Sequence, residues 1–149
     1  MKTLIIALCS VIALLYVLSY FSKEPTNLGL MGDRLALCPD SRNCVSSEAL
    51  SERHSISPIV AFGETDEIVK RLAETIESMP GGKVAIIDGP YLRAEFTSKL
   101  FRFIDDLECR YDENNEVIHV RSASRAGYSD FGANRRRVES LRSLMEVGQ

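Results

Sequence analysis

Residues 91–139 read YLRAEFTSKLFRFIDDLECRYDENNEVIHVRSASRAGYSDFGANRRRVE. Alternation of apolar and polar residues, broken by turn signals, divides this stretch. Tyr91 to Ser98 and Phe101 to Tyr111 read as strands, Asp112-Glu113-Asn114-Asn115 as a hairpin turn, and Glu116 to Ser122 as the next strand. Arg125 to Gly132 is a glycine-punctuated loop. Asn134 is placed to cap a last helix running to about Glu146, with Val138, Leu141, Leu144 and Met145 facing the core.

Working outward toward the N-terminus, Ile68, Leu72, Ile76 and Met79 recur at helical spacing, joined by Val69 and Ala73. Thr65 is the expected N-cap, and Asp66 and Glu67 suit the positive end of the helix dipole. Pro80-Gly81-Gly82 stops this helix, Lys83 to Asp88 reads as a short apolar strand, and Gly89-Pro90 turns it. The order helix, four strands, helix predicts an α+β domain with a four-stranded, mainly antiparallel sheet and two helices on one face. Arg34 to Pro58 is polar and turn-rich and predicts loop with one short helix, packed through Leu35, Leu37 and Val45. The domain is expected over residues 34–149, preceded by a linker at 23–33 (KEPTNLGLMGD).

The first residues point to a membrane. Thr3 to Ser22 carries no charge, and at about 1.5 Å per helical residue it covers the roughly 30 Å of a bilayer core. Tyr16, Tyr20 and Phe21 stand where interfacial aromatics belong. The alternative is a cleaved signal peptide, but the apolar run exceeds a usual core of about 7–15 residues and no small-x-small cleavage site follows. Residues 1–22 are therefore expected to be an N-terminal transmembrane anchor contacting lipid through residues 3–22. The early Lys2 predicts a single-pass protein of the bacterial inner membrane with its C-terminal domain in the periplasm.

The charged residues of the opening stretch are unevenly placed. Asp105, Asp106, Glu108, Asp112, Glu113 and Glu116 crowd its first half, and Arg121, Arg125, Arg135, Arg136 and Arg137 its second. On strict period two, Asp105 points the same way as Phe101, Phe103 and Leu107, and a buried carboxylate needs a partner or takes up a proton. Arg121 and Arg125 are the nearest partners by strand order, and a bulge at Asp105-Asp106 is the alternative. Glu95, Asp105 and Asp106 are the candidate buried carboxylates. Arg121, Ser122, Ser124, Arg125, Tyr128, Asn134 and Arg135 form a candidate anion-binding set, because guanidinium forks, hydroxyls and a glycine loop all offer donors. Arg135 to Arg137 oppose the dipole of the last helix, so a negative group is expected close by: Asp130, the acidic half, or a bound anion. The competing reading is that acids and arginines satisfy one another.

Cys38 and Cys44 bracket a turn, Pro39-Asp40-Ser41-Arg42-Asn43. A disulfide is the first expectation, then two free thiols, then a metal pair. The spacing is not CxxC, and His54 and His119 complete no zinc pattern. No metal and no cofactor are predicted. Nucleic acid is not an expected partner, since the formal net charge is −3 and acids match the arginines locally.

These words resemble a known family: Leu37-Cys38-Pro39 with Asn43-Cys44-Val45-Ser46-Ser47, Phe101-Arg102-Phe103 with Asp105-Asp106, Val120 to Arg125, and Gly127-Tyr128-Ser129-Asp130-Phe131-Gly132. Tyr91-Leu92 with Ala94-Glu95, and Asn134-Arg135 with Arg137-Val138-Glu139, complete the pattern. The chain resembles the domain of unknown function 1499 family over nearly all of its length beyond the anchor. Cys109 departs from it, standing where an aromatic is expected. The resemblance implies an envelope setting, carries no established activity and supplies no catalytic residues. Three functions follow: a membrane-tethered module binding an anionic small molecule or lipid headgroup, an assembly factor contacting another envelope protein, or a carboxylate- or metal-dependent hydrolase. Binding is favoured over catalysis, because no histidine or nucleophile motif joins the carboxylates.

Overall fold

The computed structural model describes residues 2–20 and 24–147. The first element, α1 (Lys2–Tyr20), is followed by a two-residue hairpin, β1 (Leu30–Met31) with β2 (Arg34–Leu35). Then come β3 (Cys44–Ser46), β4 (Ile59–Val60), α2 (Thr65–Ser78) and the strands β5 (Gly82–Asp88), β6 (Tyr91–Thr97), β7 (Ile104–Asp112) and β8 (Val117–Ser124). The chain closes with α3 (Ala133–Val147). Among the described residues no helix is long and apolar enough to cross a membrane. The anchor expected at residues 1–22 lies partly outside the described residues.

The sheet has six strands rather than four. Its order is β3-β8-β7-β6-β5, with β4 also on β8, and every pairing is antiparallel. The β5–β8 meander follows the expected order. The added strands are too short for alternation to register: β3 contributes three residues and β4 two. Both lie along the same edge of β8, Val45 opposite Ser122 and Ile59 opposite Ile118. The short helix expected between Arg34 and Pro58 is absent, its place taken by turns, β2 and β3.

Helix α2 buries Ile68, Val69, Leu72 and Ile76, the stripe predicted from spacing. Its N-cap is Glu64 rather than Thr65, whose hydroxyl donates to Glu113 at 2.5 Å instead. Gly82 brings β5 hard against the end of α2. A Cβ there would stand 2.3 Å from the Ile76 carbonyl oxygen and 3.0 Å from the Phe96 ring. Helix α3 adds Val138, Leu141 and Met145 to the core, while Leu144 is exposed.

Strand parity splits the sheet into two chemically distinct faces. Leu92, Ala94, Phe96, Leu107, Cys109, Tyr111, Ile118 and Val120 face the helices and form the apolar core. On the other face the register sets Arg93 beside Glu108 beside Arg121, and Glu95 beside Asp106. Residues 24–35, with Glu48, lie over this second face, so its charges are buried too. The expected linker contributes directly: Glu24 pairs with Arg93, and Gly29 N–H donates to Glu108 at 2.6 Å.

Candidate functional site

The charged face is an internal lattice. Glu108, with no exposed surface, accepts from Arg121 at 2.6 Å, the Tyr91 hydroxyl at 2.8 Å and Gly29 N–H. Asp106 accepts from Arg125 at 2.7 and 2.8 Å and lies 3.7 Å from Arg93, and Arg125 also reaches Glu95 at 2.5 Å. The Asp106 hydrogen bond, reinforced by Glu95, raises the Arg125 pKa against the opposing effect of burial. Burial raises the Tyr91 pKa, and Glu108 adds to it, so the phenol stays a proton donor to that carboxylate. Glu48 continues the lattice, accepting from Leu35 N–H at 2.6 Å and from Arg110 at 3.0 Å. The Nε atoms of Arg93, Arg110 and Arg121 have no hydrogen-bond partner among the described residues.

Asp105 does share a face with Leu107, but its partner is not Arg121 or Arg125. Arg137 reaches across from α3 to bond it at 2.5 Å while lying over the Phe96 ring, 4.7 Å from its centroid. The pairings of β7 run through Asp105 and Asp106 without a shift, so no bulge re-aims them. Phe101 and Phe103 precede the strand and stack near each other in the β6–β7 connection.

The serines and Asn134 of the candidate anion set hold the loop rather than open it. Ser122 donates to the Asn134 side-chain oxygen at 2.6 Å. The Asn134 amide donates to the Asn43 carbonyl, the Ser124 hydroxyl and Asp130 at 3.0, 3.0 and 2.8 Å. Asn134 is therefore the buried centre of a polar knot and not the helix cap. Asp130 caps α3, accepting from Gly132 N–H at 3.0 Å and Asn134 N–H at 2.7 Å. Burial would raise the Asp130 pKa, but these bonds outweigh it and the carboxyl sits below the usual range. Among the described residues Asp130 makes no ion pair with the arginines of this helix end, and Arg137 finds its negative partner in Asp105 instead.

Arg135 has a different setting. It lines an open cavity of roughly 380 Å³ together with Arg42, Arg53, Ser129, Asp130, Gly132, Cys44 and Val45. That volume suits a small ligand or a headgroup. The Cys38–Cys44 disulfide, with a sequence separation of 6, closes the turn that carries Arg42. Arg42 N–H then bonds the Tyr128 carbonyl at 2.8 Å, docking the turn on the glycine loop. Arg135 donates to the Ser55 carbonyl at 2.8 Å, steadying its side chain. No ion pair among the described residues takes up Arg42, Arg53 or Arg135. Asp130 is the cavity's one acidic lining residue, and its oxygens already serve the helix cap.

A family model, described as a protein of unknown function and numbered DUF1499, matches residues 34–145. The chain belongs to this family. No curated protein and no solved structure matches it. The matched region of this DUF1499 member holds the arginine cavity and the buried lattice apart from Glu24 and Gly29. Arg42 and Arg53 were not legible as site residues: nothing in the sequence ties a turn at 42 or 53 to a loop at 128–135. Among the described residues no group of three or more His, Cys, Asp or Glu is placed to hold a metal ion. Cys109 is buried and its thiol pKa raised by that burial and by Glu108, which suits a packing residue rather than a nucleophile.

Proposed function

We propose that this protein is a membrane-anchored binding module of the cell envelope that holds an anionic ligand in the Arg42–Arg53–Arg135 cavity. The observation that carries this reading is that three arginines line one open cavity, while no ion pair among the described residues takes them up and the one acidic lining residue, Asp130, serves the helix cap. Planar forks of this kind match phosphate or carboxylate oxygens in pairs. The binding centre is thus displaced from Arg121 and Arg125, which are committed to Glu108, Asp106 and Glu95, toward the end of the loop nearest α3. Glu95, Asp105 and Asp106 each bond an arginine, which favours binding over hydrolysis.

The N-terminal segment supports a membrane setting. Helix α1 leaves Leu4, Ile6 and Leu8 exposed, a surface that lipid rather than water would cover. A single-pass inner-membrane protein with a periplasmic domain accommodates both this helix and the Cys38–Cys44 disulfide, which persists in oxidising compartments. Native mass spectra of the full chain in neutral detergent, titrated with glycerol phosphate, test the binding reading. A stoichiometric adduct that disappears when Arg53→Ala and Arg135→Ala are combined is expected. No adduct at millimolar glycerol phosphate, or one indifferent to that pair, would sink it.

The free edge of the sheet favours a second reading. Ile86 and Ile87 are exposed on β5, whose outer edge pairs with no strand among the described residues, a suitable seat for another envelope protein. Crosslinking through this edge in intact cells that captured no protein would remove it.

A further inference from the structure

Two large aromatic residues, Tyr128 and Phe131, are chain neighbours of residues that line the arginine cavity, and both side chains are exposed. Phe131 is 90% exposed and Tyr128 65% exposed, both within the loop that lines the cavity through Ser129, Asp130 and Gly132. Phe131 moreover has φ 52, a left-handed backbone that suits glycine or asparagine better than a bulky ring. A phenylalanine kept in strained backbone and pointed at solvent has its use outside the fold.

The loop is stiff rather than slack. Tyr128 is fixed through its carbonyl by Arg42 N–H, and Phe131 through its carbonyl by Arg136 at 2.9 Å. Between them Asp130 is clamped by the first turn of α3. The backbone that carries both rings is therefore held on the same loop that lines the cavity. Apolar rings beside unpaired cations are complementary to one environment in particular: the headgroup zone of an anionic bilayer, with phosphates outside and acyl chains just beneath. A soluble phosphate would use the arginines and leave the rings idle.

We infer that the Arg125–Gly132 loop is a membrane-docking device, with Tyr128 and Phe131 entering the lipid interface while a lipid phosphate occupies the cavity of Arg42, Arg53 and Arg135. This rests on the anion-binding reading and commits it to a lipid source. With the N-terminal anchor proposed above confining the domain beside the bilayer, weak headgroup affinity is sufficient for occupancy.

The chain contains no tryptophan, so Phe131→Trp introduces a single fluorescent reporter. The full chain carrying it is reconstituted into vesicles of phosphatidylcholine alone or mixed with phosphatidylglycerol, with bromines on the acyl chains near the headgroup. The expected result is a blue shift and several-fold stronger quenching in the anionic vesicles. Adding Arg53→Ala and Arg135→Ala should abolish the difference. Tyr128→Ser should weaken quenching in the anionic vesicles, and unchanged quenching would remove that ring from the docking device. Absent quenching with a normal glycerol phosphate adduct would overturn the docking inference and leave anion binding standing. Absence of both would overturn the two together. Equal quenching in neutral and anionic vesicles would also overturn it, because insertion would then owe nothing to the arginines.

Discussion

Two sets of arginines divide this molecule. Arg93, Arg121 and Arg125 lie on the covered face of the sheet, with side chains 8%, 2% and 5% exposed, each within ion-pair distance of a carboxylate. Arg42, Arg53 and Arg135 line an open cavity and are matched to no carboxylate among the described residues. Burial accounts for the difference. A guanidinium removed from water needs charge-assisted bonds to survive, whereas one at a rim is solvated and can exchange water for a ligand. Arginine density alone therefore does not locate a binding site; arginines without acids do.

The comparison is broken most severely at Glu108. Glu108→Ala leaves Arg121, the Tyr91 hydroxyl and Gly29 N–H without their shared acceptor. The expected loss is about 3–5 kcal/mol, read by urea unfolding. Combining Glu108→Leu with Arg121→Met should recover most of it, because the pair as a whole need not outperform apolar packing. A loss below about 1 kcal/mol in Glu108→Ala would mean that the lattice is wet and that the two arginine sets do not differ in kind.

The disulfide comes next. Replacing both Cys38 and Cys44 with serine frees a loop of sequence separation 6, and the chain-entropy relation gives a loss of about 2–2.5 kcal/mol. Because that loop carries Arg42 into the cavity, glycerol phosphate affinity should fall about tenfold as well, the worth of one charge-assisted contact. Equal affinity before and after would remove Arg42 from the site.

These two predictions also mark how far the sequence could be read. The stripe of α2, the β5–β8 meander and the Cys38–Cys44 pairing are local or periodic features, and each was visible. The partner of Asp105 was not, because Arg137 comes from a helix 32 positions away in the sequence. Asp130 was anticipated as one possible counter-charge, yet Asn134 was given the cap that Asp130 makes. Alternation placed Asp105 on the core side correctly, while the burial of the opposite face depended on residues 24–35 and Glu48 folding over it. Residues 24–33 had the composition of a linker and no periodicity to announce that cover. Arg42 and Arg53 were hidden for the same reason: a site assembled from turns has no period.

A cap prediction follows in size. Asp130→Ala removes the acceptor for two backbone N–H groups and should cost about 1 kcal/mol. The carboxyl is held below its ordinary range in the folded chain, so the unfolded chain binds the proton more readily. Its contribution is accordingly complete above the unfolded value near pH 4 and disappears as pH falls through the lower folded value. Stability curves of Asp130→Ala and the parent should converge on acidification through that window. Parallel curves would mean that the cap works without its charge.

The smallest expected stability effect tests the comparison most sharply. Arg53→Ala removes an exposed side chain that bonds no other group among the described residues, and Arg135→Ala loses its bond to the Ser55 carbonyl. Each should change unfolding free energy by no more than about 0.5 kcal/mol, as ordinary surface substitutions do. The like charges around the cavity repel one another, so relief of that repulsion offsets part of the lost bond. The pair should consequently be close to neutral at low salt, while its effect on ligand binding is large. If the double variant instead loses stability on the scale of Glu108→Ala, the cavity arginines belong to the fold and not to a ligand. If it is neutral in both respects, the open cavity is solvent-filled surface, and the free edge of β5 becomes the better place to look.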